Sequence, residues 1–373
     1  MLKRPGRLTA TLYRFRTEYN TPGRQAAAIA LGLFIGATPF IGFHLLLTLA
    51  FASMLRVNRL KAYLAANISN PFFAPFLYAA EIQVGAWIRT GHTYSTAMLS
   101  ELRLGGLAID ILIGSAVIGA ALAAAGAAVT YWAVRARGDG PEVAELIDAA
   151  AERYLVSSIS AWEFARSKMR MDPVYLDVLK SGVLPRKGVL LDLGCGQGLM
   201  LALLVAARDR FRARRWPPGW PTPPLDADLR GIELRPRVAR RAQLALGSEA
   251  AIATEDLTRS SLPPCAAVWL FDVLHLMSRE AQDHLLREVH RTLAPGGCLI
   301  IREADAEGGL RFWVVRAGNR VNAIAQGRGR RKFQFDTEPG WRSRLNGMGF
   351  RVERSTRFNS GPFANFLIVA RRL

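Results

Sequence analysis

The sequence has little cysteine and no cysteine motif. Its three cysteines, Cys195, Cys265 and Cys298, are far apart in a chain of 373 residues and form no Cys-x-x-Cys pair. This spacing excludes a disulfide framework and a cysteine zinc site, so we predict no metal site and a reducing compartment. Charge is also scarce, at 21% of residues against 50% hydrophobic, which excludes a disordered chain. The length predicts two domains.

Charged residues are missing altogether from three stretches near the amino terminus. The stretches cover residues 25–55, 62–80 and 111–134, and contain 31, 19 and 24 residues. A membrane span needs about 20 mostly apolar residues. Helices of a soluble core usually keep a polar stripe, which the 111–134 stretch lacks. We therefore predict a helical membrane domain over residues 1–137, with a hairpin over about 25–55 and spans over about 62–88 and 111–134.

The distribution of positive charge predicts the topology. The segment before residue 25 carries six basic residues and the loop 56–61 carries three, whereas 89–110 carries two basic and two acidic residues. The positive-inside rule places both basic segments in the cytoplasm. The hairpin must then enter and return, with a helix break at Pro39, and the next span, broken near Asn70-Pro71, crosses outward. We predict a multi-pass membrane protein whose remaining chain lies in the cytoplasm.

Short segments in this part carry a family resemblance. IALGLFIG at 29–36, PFIGFH at 39–44, RLK at 59–61 and Asn70-Pro71 resemble a bacterial membrane-domain family of unknown function, number 2062 in its series. The resemblance covers about residues 10–135 and implies a membrane location, which we expect to be the bacterial inner membrane, but no chemistry. His44 and Glu81 are ionisable residues in or beside the apolar stretches, where polar groups are often functional.

After the membrane domain the composition changes, and we interpret 138–150 as a linker and 151–373 as a soluble domain. GVLLDL at 188–193 is a short apolar run typical of a buried parallel strand. It leads into the glycine-rich segment 194–198 and a helical run over 199–208. A strand, a glycine-rich turn and a helix in this order allow the backbone of the turn to approach a nucleotide closely. Later strand segments end in acids, and 349–353 and 364–370 predict an antiparallel strand pair.

The motifs of the soluble part resemble the class I S-adenosylmethionine-dependent methyltransferases. LDLGCGQG at 191–198, GIEL at 231–234, DVLH at 272–275 and LAPGGCLII at 293–301 stand in that family's order. A dinucleotide-binding domain, the main alternative, normally has a third glycine that is absent after Gly198. The resemblance implies S-adenosylmethionine as cofactor. It also implies an α/β fold, a Rossmann-like seven-stranded methyltransferase sheet with an antiparallel terminal strand pair, after the α-helical membrane domain.

The resemblance also implies which residues bind the cofactor: Asp192, Gly194, Gly196, Gly198, Glu233, Asp256, Leu257 and Asp272. The aspartate and glycines of the first motif would surround the methionine part and the ribose. Glu233 would hold the ribose hydroxyls, Asp256 and Leu257 would face the adenine, and Asp272 would line the floor beside the sulfonium. A long insertion over 208–228, which we expect to be a surface loop, departs from the family pattern.

His275 is the candidate catalytic base. A sulfonium is already a good electrophile, so alignment does most of the work. A base is needed only where the acceptor loses a proton, as a phenol or an activated carbon does. His275 lies three residues beyond Asp272 at the start of a predicted helix. The alternative is a histidine that packs against the cofactor or caps that helix. His284 and His290 fall within a predicted helix, and we interpret them as surface residues.

The acceptor is predicted from a narrower resemblance and from charge. FARSKMRMDPV at 164–174 and GPFANFLIVAR at 361–371 are similar to methyltransferases of bacterial aryl-polyene pigment synthesis, which implies a small-molecule acceptor that is phenolic or lipid-linked. The basic segment 316–335 is either a solvated loop near anionic lipid or a clamp for an acidic carrier protein or a phosphate. We therefore expect membrane lipids, the acceptor and such a carrier as partners.

Two other functions remain open at this point. The net charge of +19 suggests a nucleic-acid methyltransferase, but residues 1–137, with 13 basic and four acidic residues, account for +9 of it and leave +10. No Asn-Pro-Pro-Tyr or Asp-Pro-Pro-Tyr motif follows the fourth strand segment, so we expect no nucleic-acid partner. The other alternative is a non-enzymatic membrane module with a domain that senses S-adenosylmethionine.

Overall fold

A computed structural model describes residues 5–95, 104–135, 140–325, 333–358 and 364–373 of the chain. The chain divides into two compact units, Arg7–Gly138 and Asp139–Leu373. Part of the basic segment and the start of the GPFANFLIVAR segment lie outside the described residues. The basic residues concerned are Arg328, Arg330, Arg331 and Lys332.

The described part of the amino-terminal unit is helical. Its helices are α1 (Arg7–Thr17), α2 (Pro22–Gly36), α3 (His44–Met54), α4 (Arg59–Ala66), α5 (Ala74–Thr90) and α6 (Leu104–Arg135). Helices α2 and α3 form a hairpin whose turn contains Pro39, because proline cannot continue a helix. A 3-10 turn over Asn67–Ser69 separates α4 from α5, next to the Asn70-Pro71 pair at which the sequence predicts a break.

One helix in the described part of the chain is long and apolar enough to cross a membrane, and it lies in α6 over Gly105–Arg135. Helices α2, α3 and α5 have 15, 11 and 17 residues, fewer than the roughly 20 that a span requires. The 62–88 segment is therefore not one continuous helix, and the hairpin does not contain two full spans. A multi-pass topology stays a prediction.

Glycines bring the helices of this unit into backbone contact. A Cβ on Gly114 of α6 would lie 1.8 Å from the carbonyl oxygen of Glu81 in α5. A Cβ on Gly85 of α5 would lie 1.8 Å from the carbonyl oxygen of Asp110 in α6. Side chains at these glycines would force the two helices apart, so small residues are what allow this packing.

The second unit is a sheet covered by helices. Its strands are β1 (Lys187–Leu193), β2 (Asp226–Glu233), β3 (Ala251–Thr254), β4 (Cys265–Phe271), β5 (Leu293–Ala304), β6 (Phe350–Phe358) and β7 (Asn365–Arg372). Its helices are α7 (Pro141–Glu152), α8 (Ile159–Met171), α9 (Val174–Ser181), α10 (Leu199–Arg212), α11 (Pro236–Leu246), α12 (Arg279–Thr292), α13 (Leu310–Ala325) and α14 (Glu338–Gly347).

The seven strands form one sheet in the order β3-β2-β1-β4-β5-β7-β6. Strands β1 to β5 run parallel, and β7 is antiparallel to both β5 and β6. The parallel strands bring their carboxyl ends to one edge, where ligands bind in sheets of this kind. The predicted fold class, a helical region followed by a Rossmann-like methyltransferase sheet with a terminal antiparallel pair, is confirmed.

The segment after the described end of α6 is not the linker that its composition predicts. Residues 141–152 form α7, which buries apolar side chains at the helical spacing of Val143, Leu146, Ile147 and Ala150. Pro141 and Glu142 favour a helix start, since both suit the first turn. The Gly140-Pro141 pair, typical of a linker, instead marks the boundary of a core helix.

The 208–228 insertion is more ordered than the expected surface loop. Helix α10 continues to Arg212 and β2 already begins at Asp226. The Arg208 side chain is buried and donates hydrogen bonds to the carbonyl oxygens of Pro224 at 2.6 Å and Ala227 at 2.5 Å. The loop prediction holds only for residues 213–225, because the end of α10 uses a buried arginine to hold the returning chain.

Candidate active site

The glycine-rich loop joins β1 to α10 at the carboxyl edge of the sheet. Gly194, Gly196 and Gly198 have φ angles of 73°, 58° and 74°, a region that costs residues with a side chain steric energy. The Gly194 amide donates to the Ile232 carbonyl oxygen at 2.8 Å and so fixes the loop to β2. A Cβ on Gly194 would lie 2.4 Å from Val273, whereas one on Gly196 would meet nothing within 4 Å. The loop is therefore packed on one side and open on the other.

Glu233 ties this loop to the end of β2. Its Oε2 accepts from the Gly196 amide at 3.1 Å, and its Oε1 accepts from the amide and Nε of Arg235 at 2.9 and 2.7 Å. Each carboxylate oxygen has two lone pairs, so Oε1 is saturated by Arg235 and Oε2 keeps one lone pair that can accept from a ribose hydroxyl. The structure thus brings together the loop and the acid that the sequence predicts as ribose ligands.

The turn after β3 lies beside Glu233. The Glu255 amide donates to the Glu233 carbonyl oxygen at 3.3 Å. Asp256 Oδ1 accepts from the amide and hydroxyl of Thr258 at 3.0 and 2.8 Å, and these bonds hold the pKa of Asp256 below its usual value. Leu257 is buried in the hydrophobic core, so its side chain supports the turn. Contact of Asp256 or Leu257 with adenine stays a prediction.

Two buried groups lie beneath the glycine loop. Asp192 in β1 is enclosed by the core, and this burial raises its pKa to about 8. Tyr154, in a 3-10 turn over Arg153–Val156, is fully buried and donates its hydroxyl to the Gln197 carbonyl oxygen at 2.7 Å. Among the described residues, no group bonds to the buried Gln197 Oε1. The loop thus rests on Tyr154 and holds an amide oxygen that can accept from a ligand.

Asp272 follows β4 and faces Arg302 of β5. Its φ of 58° turns the chain at the strand end, and its Oδ2 accepts a hydrogen bond from Arg302. The Arg302 guanidinium also pairs with Asp172 at 2.9 Å, and Asp172 pairs with Lys168 at 2.8 Å. Carboxylates on two sides compensate the burial of the guanidinium. The Asp272 side chain remains partly exposed, as a residue on the floor of a cofactor site must be.

His275 and Glu303 form a buried pair at the same edge, with exposed fractions of 4% and 1%. Nδ1 of His275 lies 2.6 Å from Glu303 Oε2. Glu303 Oε1 accepts from the amides of Leu274 and His275 at 2.7 and 3.3 Å. Because a carboxylate only accepts, Nδ1 carries the proton of the neutral ring and Nε2 carries the lone pair. The helix expected at His275 is a 3-10 turn over Leu274–Leu276.

Aromatic rings cover this pair. Phe335 stacks on the His275 ring with centroids 4.8 Å apart and an interplanar angle of 11°. The Phe333 ring lies 6.1 Å from His275, and Phe312 of α13 meets Phe335 edge-on at 5.1 Å. The Gln334 amide donates to the His275 carbonyl oxygen at 2.9 Å and anchors the segment. A base would therefore sit against an apolar, aromatic wall.

A cavity of about 460 Å³ lies just beyond the end of β5. Asp305, Arg357 and Asn365 contribute to its lining, and Arg357 pairs with Asp305 at 3.2 Å. In its favourable amide orientation, the Asn365 side chain accepts from Arg302 at 2.9 Å. The cavity thus adjoins the Arg302 network and carries both signs of charge.

Sequence reasoning did not find Glu303 or Tyr154. A signal existed for Glu303, because it follows the apolar run 298–301 of a parallel strand, just as Asp272 follows β4. Tyr154 has no local signal, since its role depends on a contact across 43 residues. His284 is exposed, as interpreted, but His290 is half-buried and meets Phe350 edge-on at 5.0 Å. The surface interpretation is wrong for His290 because it lies on the inward side of α12.

Two family models match the chain. One, described as an uncharacterized protein conserved in bacteria (DUF2062), matches residues 7–139. The other, described as a methyltransferase domain, matches residues 162–355, which are 194 of the 373 residues. The chain belongs to the methyltransferase-domain family. This methyltransferase is an enzyme that uses S-adenosylmethionine, as its motifs imply.

Solved structures of methyltransferases resemble the chain at low identity. An S-adenosylmethionine-dependent methyltransferase from Methanosarcina mazei is 18% identical, with 52% of this chain and 96% of that chain covered and a TM-score of 0.39. Magnesium protoporphyrin IX methyltransferase from Synechocystis PCC 6803 with bound S-adenosylhomocysteine is 18% identical, with 56% and 87% covered and a TM-score of 0.39. A comparison with curated proteins finds no match.

The described residues of the methyltransferase fit its cofactor. Gly196 leaves one side of the loop open, and the buried Gln197 Oε1 and the remaining lone pair of Glu233 Oε2 are acceptors beside it. When bound, S-adenosylmethionine supplies a methyl group on a sulfonium. The role of each residue toward the cofactor stays a prediction.

Proposed function

We propose that this methyltransferase acts at a membrane on a phenolic or lipid-linked acceptor, with His275 as the base and Glu303 as the residue that positions it. The observation that carries the proposal is the buried His275–Glu303 hydrogen bond of 2.6 Å. The pair lies at the carboxyl edge of the sheet, where His275 follows Asp272 by three residues. An acceptor that loses a proton needs such a base, whereas other acceptors do not.

The pair is suited to take a proton from a hydroxyl. Glu303 accepts the proton of Nδ1, so the Nε2 lone pair is the basic position of the ring. His275 takes the hydroxyl proton on Nε2 as the acceptor oxygen takes the methyl group, and the products are a methyl ether and S-adenosylhomocysteine. The Glu303 carboxylate stabilises the imidazolium that forms. General-base catalysis of this kind contributes about 10²- to 10⁴-fold in rate.

The surroundings of the pair favour an aromatic acceptor. Phe333 and Phe335 provide ring faces next to His275, and Phe312 extends this wall by meeting Phe335 edge-on. Aromatic rings pack favourably in offset or edge-to-face arrangements with one another. A phenol could therefore pack its ring against this wall while its hydroxyl meets the histidine.

The membrane location is supported by α6 and by exposed apolar side chains in and beside the two turns that precede α3 and α5. Six such side chains have exposed fractions of 51–73%: Phe40, Ile41, Phe43, Phe72, Phe73 and Phe76. His44 joins the two turns, since its Nε2 lies 2.9 Å from the Thr38 carbonyl oxygen and its Nδ1 lies 3.3 Å from Ser69 Oγ. A large exposed apolar surface of this kind marks a membrane or partner contact. It suits an inner-membrane protein with a cytoplasmic catalytic domain.

The test is transfer of labelled methyl from S-adenosylmethionine into membrane extracts of the native host. We expect label in an organic-soluble phenolic or lipid product with the intact chain. Asp192→Ala should abolish transfer by disturbing the cofactor loop. His275→Gln should lower the rate about 10²- to 10⁴-fold, while the matched change His284→Gln, at an exposed position, should leave it unchanged.

Three forms of the acceptor distinguish a free phenol, a membrane lipid and a carrier-bound molecule as the substrate. The same assay is run with free phenols, with lipid extract and with an acidic carrier protein that bears the acceptor. Label that enters lipid or the carrier-bound phenol supports the proposal. Label found only in RNA or in protein side chains would overturn the acceptor class and leave the enzyme class intact.

A further inference from the structure

Helix α13 of the catalytic unit has the composition of a membrane-surface helix. Over its whole length the helix carries three basic residues, Arg311, Arg316 and Arg320, and no acidic residue. Within the helix, Trp313 and Val314 are exposed at 61% and 49%. The Arg316 guanidinium lies 5.1 Å from the centre of the Trp313 ring, so apolar and cationic groups share one surface.

The opposite side of α13 faces the candidate active site. Phe312, Val315 and Asn319 are the half-buried positions at helical spacing. Phe312 meets Phe335 edge-on at 5.1 Å, and Phe335 stacks on His275 at 4.8 Å. One helix therefore carries an exposed aromatic and cationic surface on the outside and part of the aromatic wall of the base on the inside.

We infer that α13 docks on a bilayer surface that contains anionic lipid headgroups. The partner is chosen by charge complementarity, since a helix with three arginines and no acidic residue of its own attracts anionic headgroups. A tryptophan beside arginines on an amphipathic helix is typical of insertion at the headgroup level. The inference rests on the proposed membrane location, and it adds that the catalytic unit itself contacts lipid, so that a lipid-linked acceptor enters past α13.

The test uses the full chain in nanodiscs with a fluorophore on the exterior of α13. The three native cysteines are buried, so Trp313→Cys can be labelled selectively. Ser248→Cys, an exposed position after α11 beside the opposite edge strands of the sheet, provides the reference label. Quenching by nitroxide lipids is measured in discs of phosphatidylcholine alone and in discs that also contain phosphatidylglycerol.

We expect quenching at position 313 in the anionic discs and its loss in the neutral discs. The double change Arg316→Gln with Arg320→Gln should reduce quenching to the level of position 248. The charge-matched double change Arg240→Gln with Arg241→Gln, on the exposed face of α11, should leave it unchanged.

Three results would overturn the inference or its basis in different ways. Equal quenching at 313 and 248, or equal quenching in both kinds of disc, excludes docking on anionic lipid. A label at 313 that an acidic carrier protein shields, and that lipid does not quench, assigns α13 to the carrier instead. Failure of the chain to enter any disc would instead contradict the proposed membrane location.

Discussion

Single carboxylates in the catalytic unit have very different surroundings. Glu303 accepts from three donors, and Asp172 pairs with Arg302 and Lys168. Asp192 is enclosed by the core instead, and burial alone raises a carboxyl pKa because it disfavours the charged form. Acids that lie close together in this unit therefore differ in whether donors or apolar groups surround them.

Asp192 makes the stability of the cofactor-free protein depend on pH. Its pKa is about 8 in the folded state and close to 3.9 when unfolded. Between these values the folded state holds a proton that the unfolded state has lost, so the free energy of unfolding falls as pH rises, by up to about 1.4 kcal/mol per pH unit. We expect the melting temperature to fall from pH 5 to pH 8 and to level off above that.

Asp192→Asn removes this titration, so the melting temperature of the variant should fall less between pH 5 and pH 8 than that of the wild type. Asp228→Asn, at a half-exposed acid of β2, is the matched control and should retain the wild-type slope. A wild-type protein whose melting temperature rises steadily from pH 5 to pH 8 would contradict the buried, protonated state of Asp192.

Glu303→Gln tests whether Glu303 positions the base. A glutamine amide placed toward Nδ1 donates rather than accepts, so it favours the tautomer with the proton on Nε2, which cannot act as a base. We expect kcat for a phenolic acceptor to fall by at least about 10²-fold, with little change in the affinity for S-adenosylmethionine. The acidic limb of the pH–rate profile should move to lower pH, because the amide does not stabilise the imidazolium.

The control for this change is Asp305→Asn, which alters a nearby buried acid that pairs with Arg357. It should leave the shape of the pH–rate profile unchanged. If Glu303→Gln lowers melting temperature and kcat but leaves the profile in place, Glu303 has a structural role only.

At the scale of elements, the parallel strands bring the acidic residues of the site to one edge of the sheet. The helices of the first unit are held together by close packing. The ends of β1, β2, β4 and β5 carry Asp192, Glu233, Asp272 and Glu303, because parallel strands point their carboxyl ends the same way. In the helical unit, α5 and α6 approach until their backbones touch at Gly85 and Gly114. Packing of this kind needs small residues, since a side chain at either glycine would meet the backbone of the other helix.

Gly114→Leu should separate α5 from α6. Its Cβ would lie 1.8 Å from the Glu81 carbonyl oxygen, a backbone atom that cannot rotate away. We expect a loss of about 1–3 kcal/mol or more, as for overpacked cores, measured as a lower melting temperature in detergent. Gly105→Leu on the same helix, where a Cβ meets nothing within 4 Å, should be neutral or stabilising. Equal effects of the two changes would argue against the helix contact.

At the scale of the whole molecule, the helical and catalytic units have separate cores, and this predicts separable functions. A chain that begins at Gly140 retains α7 and all seven strands. We expect it to bind S-adenosylmethionine with the affinity of the full chain in calorimetry and to methylate a soluble phenol. With an acceptor in vesicles, its KM should rise while its kcat stays unchanged, because the anchor only raises the local concentration of enzyme at the membrane. A truncated chain that is folded but unable to bind the cofactor would contradict this.

The sequence by itself determined the elements whose signals are local. The apolar run, glycine turn and helix at 188–208 identified β1, the cofactor loop and α10, because a buried parallel strand and a glycine turn depend on neighbouring residues. The breaks at Pro39 and Asn70-Pro71 were found for the same reason, as was the terminal strand pair. The prediction of a linker at 141–150 was wrong. It relied on the Gly-Pro pair at 140–141, although the apolar residues that follow have the spacing of a helix, α7.

Only the tertiary structure decided which distant residues act together. The His275–Glu303 bond joins positions 28 apart, and the Tyr154–Gln197 bond joins positions 43 apart. No local pattern encodes such contacts: the first depends on the strand order that places β5 beside β4, and the second on the packing of the 153–156 turn under the loop after β1. The sequence named His275 as a candidate base, but the carboxylate that orients the ring became visible only when the fold brought the two strand ends together.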